Sequence, residues 1–95
     1  MKRYEFYRLV PGTDPVEIQE KLWKTFRKLD DELDWFNHPT VFRAAEGGRS
    51  DFDLMAAVEI DDPARVAEYL NHPLAVKLAD KIGEAVQEKA AFEHY

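Results

Sequence analysis

Residues 3–10, Arg3-Tyr4-Glu5-Phe6-Tyr7-Arg8-Leu9-Val10, decide how this chain folds. Successive side chains of a strand point to opposite faces, so the run sets Tyr4, Phe6, Arg8 and Val10 against Arg3, Glu5, Tyr7 and Leu9. Each set carries large aromatic or aliphatic groups. A strand with one wet face alternates apolar with polar residues, whereas this one predicts a central strand in a sheet covered on both sides. Pro11-Gly12 ends it.

Working outward, Asp14-Pro15-Val16-Glu17 opens a helix. The Asp14 carboxylate can accept from free amides of the first turn, Pro15 loses no hydrogen bond at the first helical position, and Glu17 can reach back as in a capping box. Ile18, Leu22, Phe26, Leu29 and Leu33 follow at spacings of 4, 4, 3 and 4, one apolar stripe, with Glu17/Lys21 and Glu20/Lys24 as pairs on the wet side. Asn37-His38-Pro39 punctuates the chain. Residues 40–45 then read as a second strand running into the turn-rich Glu46-Gly47-Gly48-Arg49-Ser50, and residues 52–60 as a third, its partner in a hairpin. In that third strand Phe52, Leu54, Ala56, Val58 and Ile60 form an apolar row, with Met55 and Ala57 behind. Asp62-Pro63 repeats the cap-then-proline start for a short helix to about residue 70, and Asn71-His72-Pro73 interrupts it. A second helix begins at Pro73 and buries Leu74, Ala75, Leu78, Ala79, Ile82, Ala85 and Val86; residues 90–95 read as the last strand.

The order strand, helix, strand, strand, helix, strand is the split βαβ arrangement of ferredoxin-like α+β folds, a four-stranded antiparallel sheet with its helices on one face. With 45% hydrophobic residues in 95, the chain can bury one core, so residues 1–95 are expected to form a single domain. The helices leave the second sheet face bare although it too carries aromatic groups. A second copy packed across a two-fold axis covers both bare faces with one self-complementary contact, which predicts a homodimer.

Composition excludes several classes of function. A net charge of −6, from 13 basic and 19 acidic residues, repels a phosphate backbone, so nucleic acid is not an expected partner. No apolar run approaches the roughly 18 residues of a membrane span, and the opening Met1-Lys2-Arg3 leads into alternation rather than an apolar signal segment, so a cytoplasmic protein is expected. The absence of cysteine removes disulfides, thiol catalysis and thiolate metal sites. No two of the three histidines have helical ligand spacing, and Gly47-Gly48 lacks the strand-to-helix setting of a phosphate loop; no metal or other cofactor is implied.

Over nearly its whole length the chain resembles the stress-responsive dimeric α/β-barrel family. The resemblance lies in the opening strand running into Leu9-Val10-Pro11-Gly12, in Leu22-Trp23-Lys24-Thr25-Phe26, in the strand from Phe52 to Ile60, in Tyr69-Leu70-Asn71-His72-Pro73 and in the closing Ala91-Phe92-Glu93-His94-Tyr95. It implies a dimeric α/β barrel with a small-molecule pocket between sheet and helices of each subunit. In the family's aromatic polyketide cyclases a pocket Tyr matches Tyr69, and apolar wall residues match Leu22 and Phe26. Their working His lies two residues beyond the Pro of the His-Pro pair; here Ala75 stands there and cannot transfer a proton. The family's frequent His at the start of the first strand is also missing, with Arg3 or Tyr4 in its place.

The residues themselves add Glu5. A carboxylate in a central strand, beside Tyr7 on the same face, must be paired, wet or shifted in proton affinity. It is a candidate pocket acid or base, against the alternative of a surface pairing with Arg3, Arg8 or a partner subunit's basic residue. Tyr69 and His72 complete the catalytic candidates, His72 against the alternative of a capping role at the helix junction. His38 and His94 fall in a loop and at the sheet margin; Trp23, Trp35, Tyr4 and Phe92 read as packing or interface residues.

The expected function is therefore binding of a small apolar or aromatic molecule in a pocket of Glu5, Tyr7, Leu22, Phe26 and Tyr69, with the reaction open. The alternatives are a noncatalytic, stress-associated self-assembly module and, by fold analogy, a polyketide-cyclase-like enzyme or a cofactor-free or haem-dependent monooxygenase.

Overall fold

The alternation of the opening residues is realised in strand β1 (Lys2–Leu9) of the computed structural model, which describes residues 1–95. Arg3, Glu5, Tyr7 and Leu9 are buried beneath the helices, while Tyr4, Phe6 and Arg8 on the other face are half-buried. Helix α1 (Pro15–Glu32) starts where the cap signal puts it, with the Asp14 carboxylate accepting from the Val16 amide at 3.0 Å. Glu17 pairs with Lys21 at 3.2 Å instead of turning back to cap. Strands β2 (Phe36–Arg43) and β3 (Leu54–Ile60) form the hairpin. A single 3-10 turn at Pro63–Arg65, capped by Asp62, leads into α2 (Val66–Asn71), and the break at His72-Pro73 separates it from α3 (Pro73–Ile82). Strand β4 (Val86–His94) closes the chain.

The sheet order is β2-β3-β1-β4, antiparallel throughout, with α1 and α3 packed together on one face: the ferredoxin-like βαββαβ arrangement. Between them lies a core in which Leu22, Phe26, Leu29, Phe36, Leu54, Val58 and Ile60 are essentially inaccessible to water. The Phe26 ring stands edge-on to Phe36 at a centroid distance of 5.6 Å, a favoured aromatic geometry. No helix is long and apolar enough to cross a membrane.

Three boundaries differ from the sequence reading, each for a tertiary reason. Strand β2 begins at Phe36, so Asn37-His38-Pro39 lies inside it rather than before it. Phe36 pairs with Ile60 in the core, the register slips by one residue between Asn37 and Thr40, and His38 takes φ +54° at the bulge. Pro39 is tolerated because β2 is an edge strand. Strand β3 begins at Leu54, leaving Phe52 outside the ladder. Strand β4 begins at Val86, which leaves the helical stripe; α3 ends at Ile82, and a 3-10 turn at Gly83–Ala85 reverses the chain. Gln87, Glu88 and Lys89 carry no strand signal, yet Lys89 pairs with Tyr7 and Glu88 with Arg8, Gln87 standing at the bulge before Val86 meets Leu9, because β1 needs a partner along its whole length.

The face opposite the helices is uncovered. The register aligns Phe42, Met55, Phe6 and Ala90 in one row across all four strands, and Thr40, Ala57, Tyr4 and Phe92 in the next. Phe42 is 52% exposed and Phe92 58%. Tyr4 packs beside Phe6 at 6.5 Å and Phe92 at 6.4 Å, and Phe6 beside Phe52 at 5.5 Å, so the aromatic groups form one continuous patch.

Candidate functional site

Strand alternation puts Arg3, Glu5 and Tyr7 in line on the inner face of β1, and α2 lays Tyr69 over them. Glu5, only 2% exposed, is the hub. The Tyr7 hydroxyl donates to its Oε1 at 2.6 Å, and the Tyr69 hydroxyl lies within hydrogen-bonding distance of both oxygens, at 3.1 and 3.0 Å. Arg3 Nε donates to Oε2 at 3.0 Å, while Arg3 Nη1 reaches across to Glu93 on β4 at 2.7 Å. Lys89, opposite Tyr7 in the β1–β4 register, brings its ammonium to 3.7 Å from Oε1 and over the Tyr7 ring at 5.3 Å. Every buried side-chain polar atom has a partner, which is the condition for keeping a charge inside a protein.

Burial pushes the Glu5 carboxyl up, but Lys89, the Tyr7 hydrogen bond and Arg3 together outweigh it and hold the group below its ordinary value of 4.5. Burial first, and the Glu5 charge second, push both the Tyr7 and Tyr69 hydroxyls well above 10. At neutral pH the site is thus an ionised carboxylate held by two protonated phenols and two cations. A carboxylate held below that value is a weak general base at neutral pH, because proton transfer is most effective when the group's pKa lies near the working pH.

A cavity of about 240 Å³ adjoins this cluster beneath α2 and α3, walled by Tyr7, Tyr69, Ala75, Leu78, Ile82, Val86 and Lys89 among others. Of the residues expected to form the pocket, Tyr7 and Tyr69 line it, and Glu5 sits directly behind their hydroxyls. Leu22 and Phe26 do not reach the wall. The α1 stripe is closed off by β2 and β3, so Leu22 is wholly buried, and Phe26 backs Tyr69 edge-on at 6.2 Å from behind. Of the alternative partners expected for Glu5, Arg3 does pair with it at 3.0 Å, but in the buried interior rather than on the surface; Arg8 points to the other face and pairs with Glu88 at 3.1 Å.

His72 caps α3. Its Nδ1 accepts from the Leu74 amide at 3.1 Å, and its Nε2 lies 3.3 Å from Glu32 at the end of α1, away from the cavity. Since an N-cap side chain satisfies an otherwise unpaired amide, His72→Ala is expected to lower stability by about 1 kcal/mol, read as a shift of the urea midpoint. His38 is exposed and meets Glu59, and His94 meets Tyr4 at the sheet margin. Trp23 is 40% exposed on α1, and Trp35 lies half-buried beneath Arg65.

Lys89, Leu78, Ile82 and Val86 were not among the expected pocket residues. The apolar three carried a helical-core signal, whereas Lys89 lies in a polar run. The one available clue to Lys89 was length: an eight-residue central strand needs a partner longer than residues 90–95 provide.

A family model described as stress responsive A/B barrel domain matches residues 1–95. None of the curated proteins matches the chain. Among solved structures, a dimeric protein of unknown function and ferredoxin-like fold from Bacteroides fragilis is similar at a TM-score of 0.81 and 15% identity, over 98% of this chain and 94% of that one. The hydroxynitrile lyase of Passiflora edulis is similar at 0.74 and 13%, over 96% and 87%. A cofactor-independent oxygenase from Streptomyces nogalater is similar at 0.73 and 14%, over 99% and 91%. At such identities the likeness is one of fold.

Proposed function

The chain belongs to the stress-responsive A/B barrel domain family, and from that premise we propose that it is a homodimer whose subunits each bind a small apolar or aromatic molecule between sheet and helices. The observation that carries this reading is the cavity itself: apolar side chains of α3 and β4 leave open space against a buried polar cluster whose bonds are complete. Protein interiors pack densely, so a domain serving only self-assembly has no reason to keep that space empty. The bare aromatic sheet face supports the dimer, as does the dimeric state of the Bacteroides fragilis protein.

The fold hosts enzymes in the Passiflora and Streptomyces proteins. In this chain Ala75 presents no ionisable group to the cavity, and the phenols beside it hold their protons tightly. Binding is therefore the function best supported, with turnover left to be sought once a ligand is known.

A thermal-shift screen of small aromatic compounds tests the reading. A ligand present at 100 times its Kd should stabilise the fold by about 2.7 kcal/mol. Leu78→Trp, which fills the cavity from α3, should abolish that shift while far-UV circular dichroism stays unchanged. A panel in which no aromatic compound stabilises the wild-type protein would count against a binding pocket.

A further inference from the structure

The hydrogens of the buried cluster are already committed. Tyr7 donates its hydroxyl proton to Glu5, and Tyr69 directs its own to the same carboxylate, so toward the cavity each phenol oxygen keeps only acceptor capacity. Lys89 is the opposite. It carries three N–H donors, makes no side-chain hydrogen bond, and stands 3.7 Å from the nearest Glu5 oxygen, beyond good hydrogen-bonding distance. The polar end of the cavity thus offers donors from one residue and acceptors from two.

Its charge is balanced, Arg3 and Lys89 against Glu5 and Glu93, with Arg3 bridging both carboxylates at 3.0 and 2.7 Å. A ligand carboxylate drawn to Lys89 would bring an unmatched negative charge toward Glu5, whose field is little screened because it is buried. A neutral ligand meets no such opposition.

We propose that the cavity selects uncharged, oxygenated apolar molecules and that Lys89 is its specificity-determining residue. A ligand carbonyl accepts from the Lys89 ammonium, an adjacent hydroxyl donates to the oxygen of Tyr7 or Tyr69, and the hydrocarbon body lies against Leu78, Ile82 and Val86. This inference rests on the pocket reading above and names the ligand chemistry for it.

The test compares three molecules with the same phenyl body in NMR chemical-shift titrations: 2-hydroxyacetophenone, neutral with carbonyl and hydroxyl; mandelate, anionic; and ethylbenzene, without oxygen. The hydroxyketone should bind about tenfold more tightly than either of the others. Lys89→Met should erase that advantage while leaving ethylbenzene unchanged; Lys89→Leu, which also removes the N–H donors, replaces it if the Met variant does not fold. Tighter binding of mandelate, equal binding of ethylbenzene and hydroxyketone, or an advantage that survives both variants overturns the inference and leaves the pocket standing. Failure of all three to bind removes the pocket itself.

Discussion

Replacing Glu5 with alanine should cost about 3–5 kcal/mol of folding stability, the range for removing one partner from a buried ion pair. The carboxylate accepts from Arg3, Tyr7 and Tyr69 and faces Lys89, and its loss leaves the Arg3 charge, at 8% exposure, with Glu93 as its remaining carboxylate and two buried hydroxyls without their acceptor. Glu5→Gln keeps the shape and an acceptor oxygen, so it should cost less than the alanine variant. Urea unfolding followed by circular dichroism reads both. A Glu5→Ala penalty below about 1 kcal/mol, the value of an ordinary neutral hydrogen bond, would show that the cluster does not hold α2 to the sheet.

The same residue contributes to the acid limb of stability. Its folded pKa lies below the 4.5 of the unfolded chain, so the unfolded state binds more protons as the solution is acidified. Its contribution is fully present above the unfolded value and is lost as pH falls through the folded one. Wild-type stability should therefore drop on acidification below about pH 4.5, and Glu5→Gln should show a shallower drop over the same window. Parallel pH profiles for the two proteins would exclude Glu5 as the group responsible.

The second large effect is expected on the bare sheet face. Phe6 sits at its centre, between Met55 and Ala90 in the register and 5.5 Å from Phe52. In the proposed two-fold dimer each substitution is present twice, and a central aromatic anchor is worth about 2 kcal/mol or more. Phe6→Glu should then weaken association by about 4 kcal/mol, close to a thousandfold in Kd. Sedimentation velocity should show a dimer for the wild type at micromolar concentration and a folded monomer for Phe6→Glu, since Phe6 points away from the helix-side core. A wild-type monomer, or a dimer that tolerates the charge, would contradict face-to-face assembly. Because the cavity lies on the other side of the sheet, the monomeric variant should still bind ligand.

Much of the fold was legible because its signals are local. Asp14-Pro15 and Asp62-Pro63 announce helix starts by satisfying amides within two residues, and the stripe of Ile18, Leu22, Phe26 and Leu29 is buried as its spacing requires. Signals failed where a neighbouring strand overrode them. Asn37-His38-Pro39 has the chemistry of a turn, but Phe36 and Asn37 on one side and Thr40 on the other all pair with β3, so His38-Pro39 becomes a bulge. Gln87-Glu88-Lys89 has no strand chemistry at all and is a strand because β1 lies alongside.

The sequence alone determined the order of elements and the two-sided central strand, because periodicity and capping need no knowledge of distant neighbours, and through its resemblance to the polyketide cyclases it pointed to Ala75 as standing where their working His lies. It also marked Glu5 as a carboxylate in need of a partner. Which partners it found, Tyr69 from α2 and Lys89 from β4, only the tertiary structure decided. The same packing drew Leu22 and Phe26 away from the cavity and put Leu78, Ile82 and Val86 on its wall. The reason is physical: contacts between elements depend on strand register and helix placement, and those follow from the summed packing of the whole core rather than from any one segment.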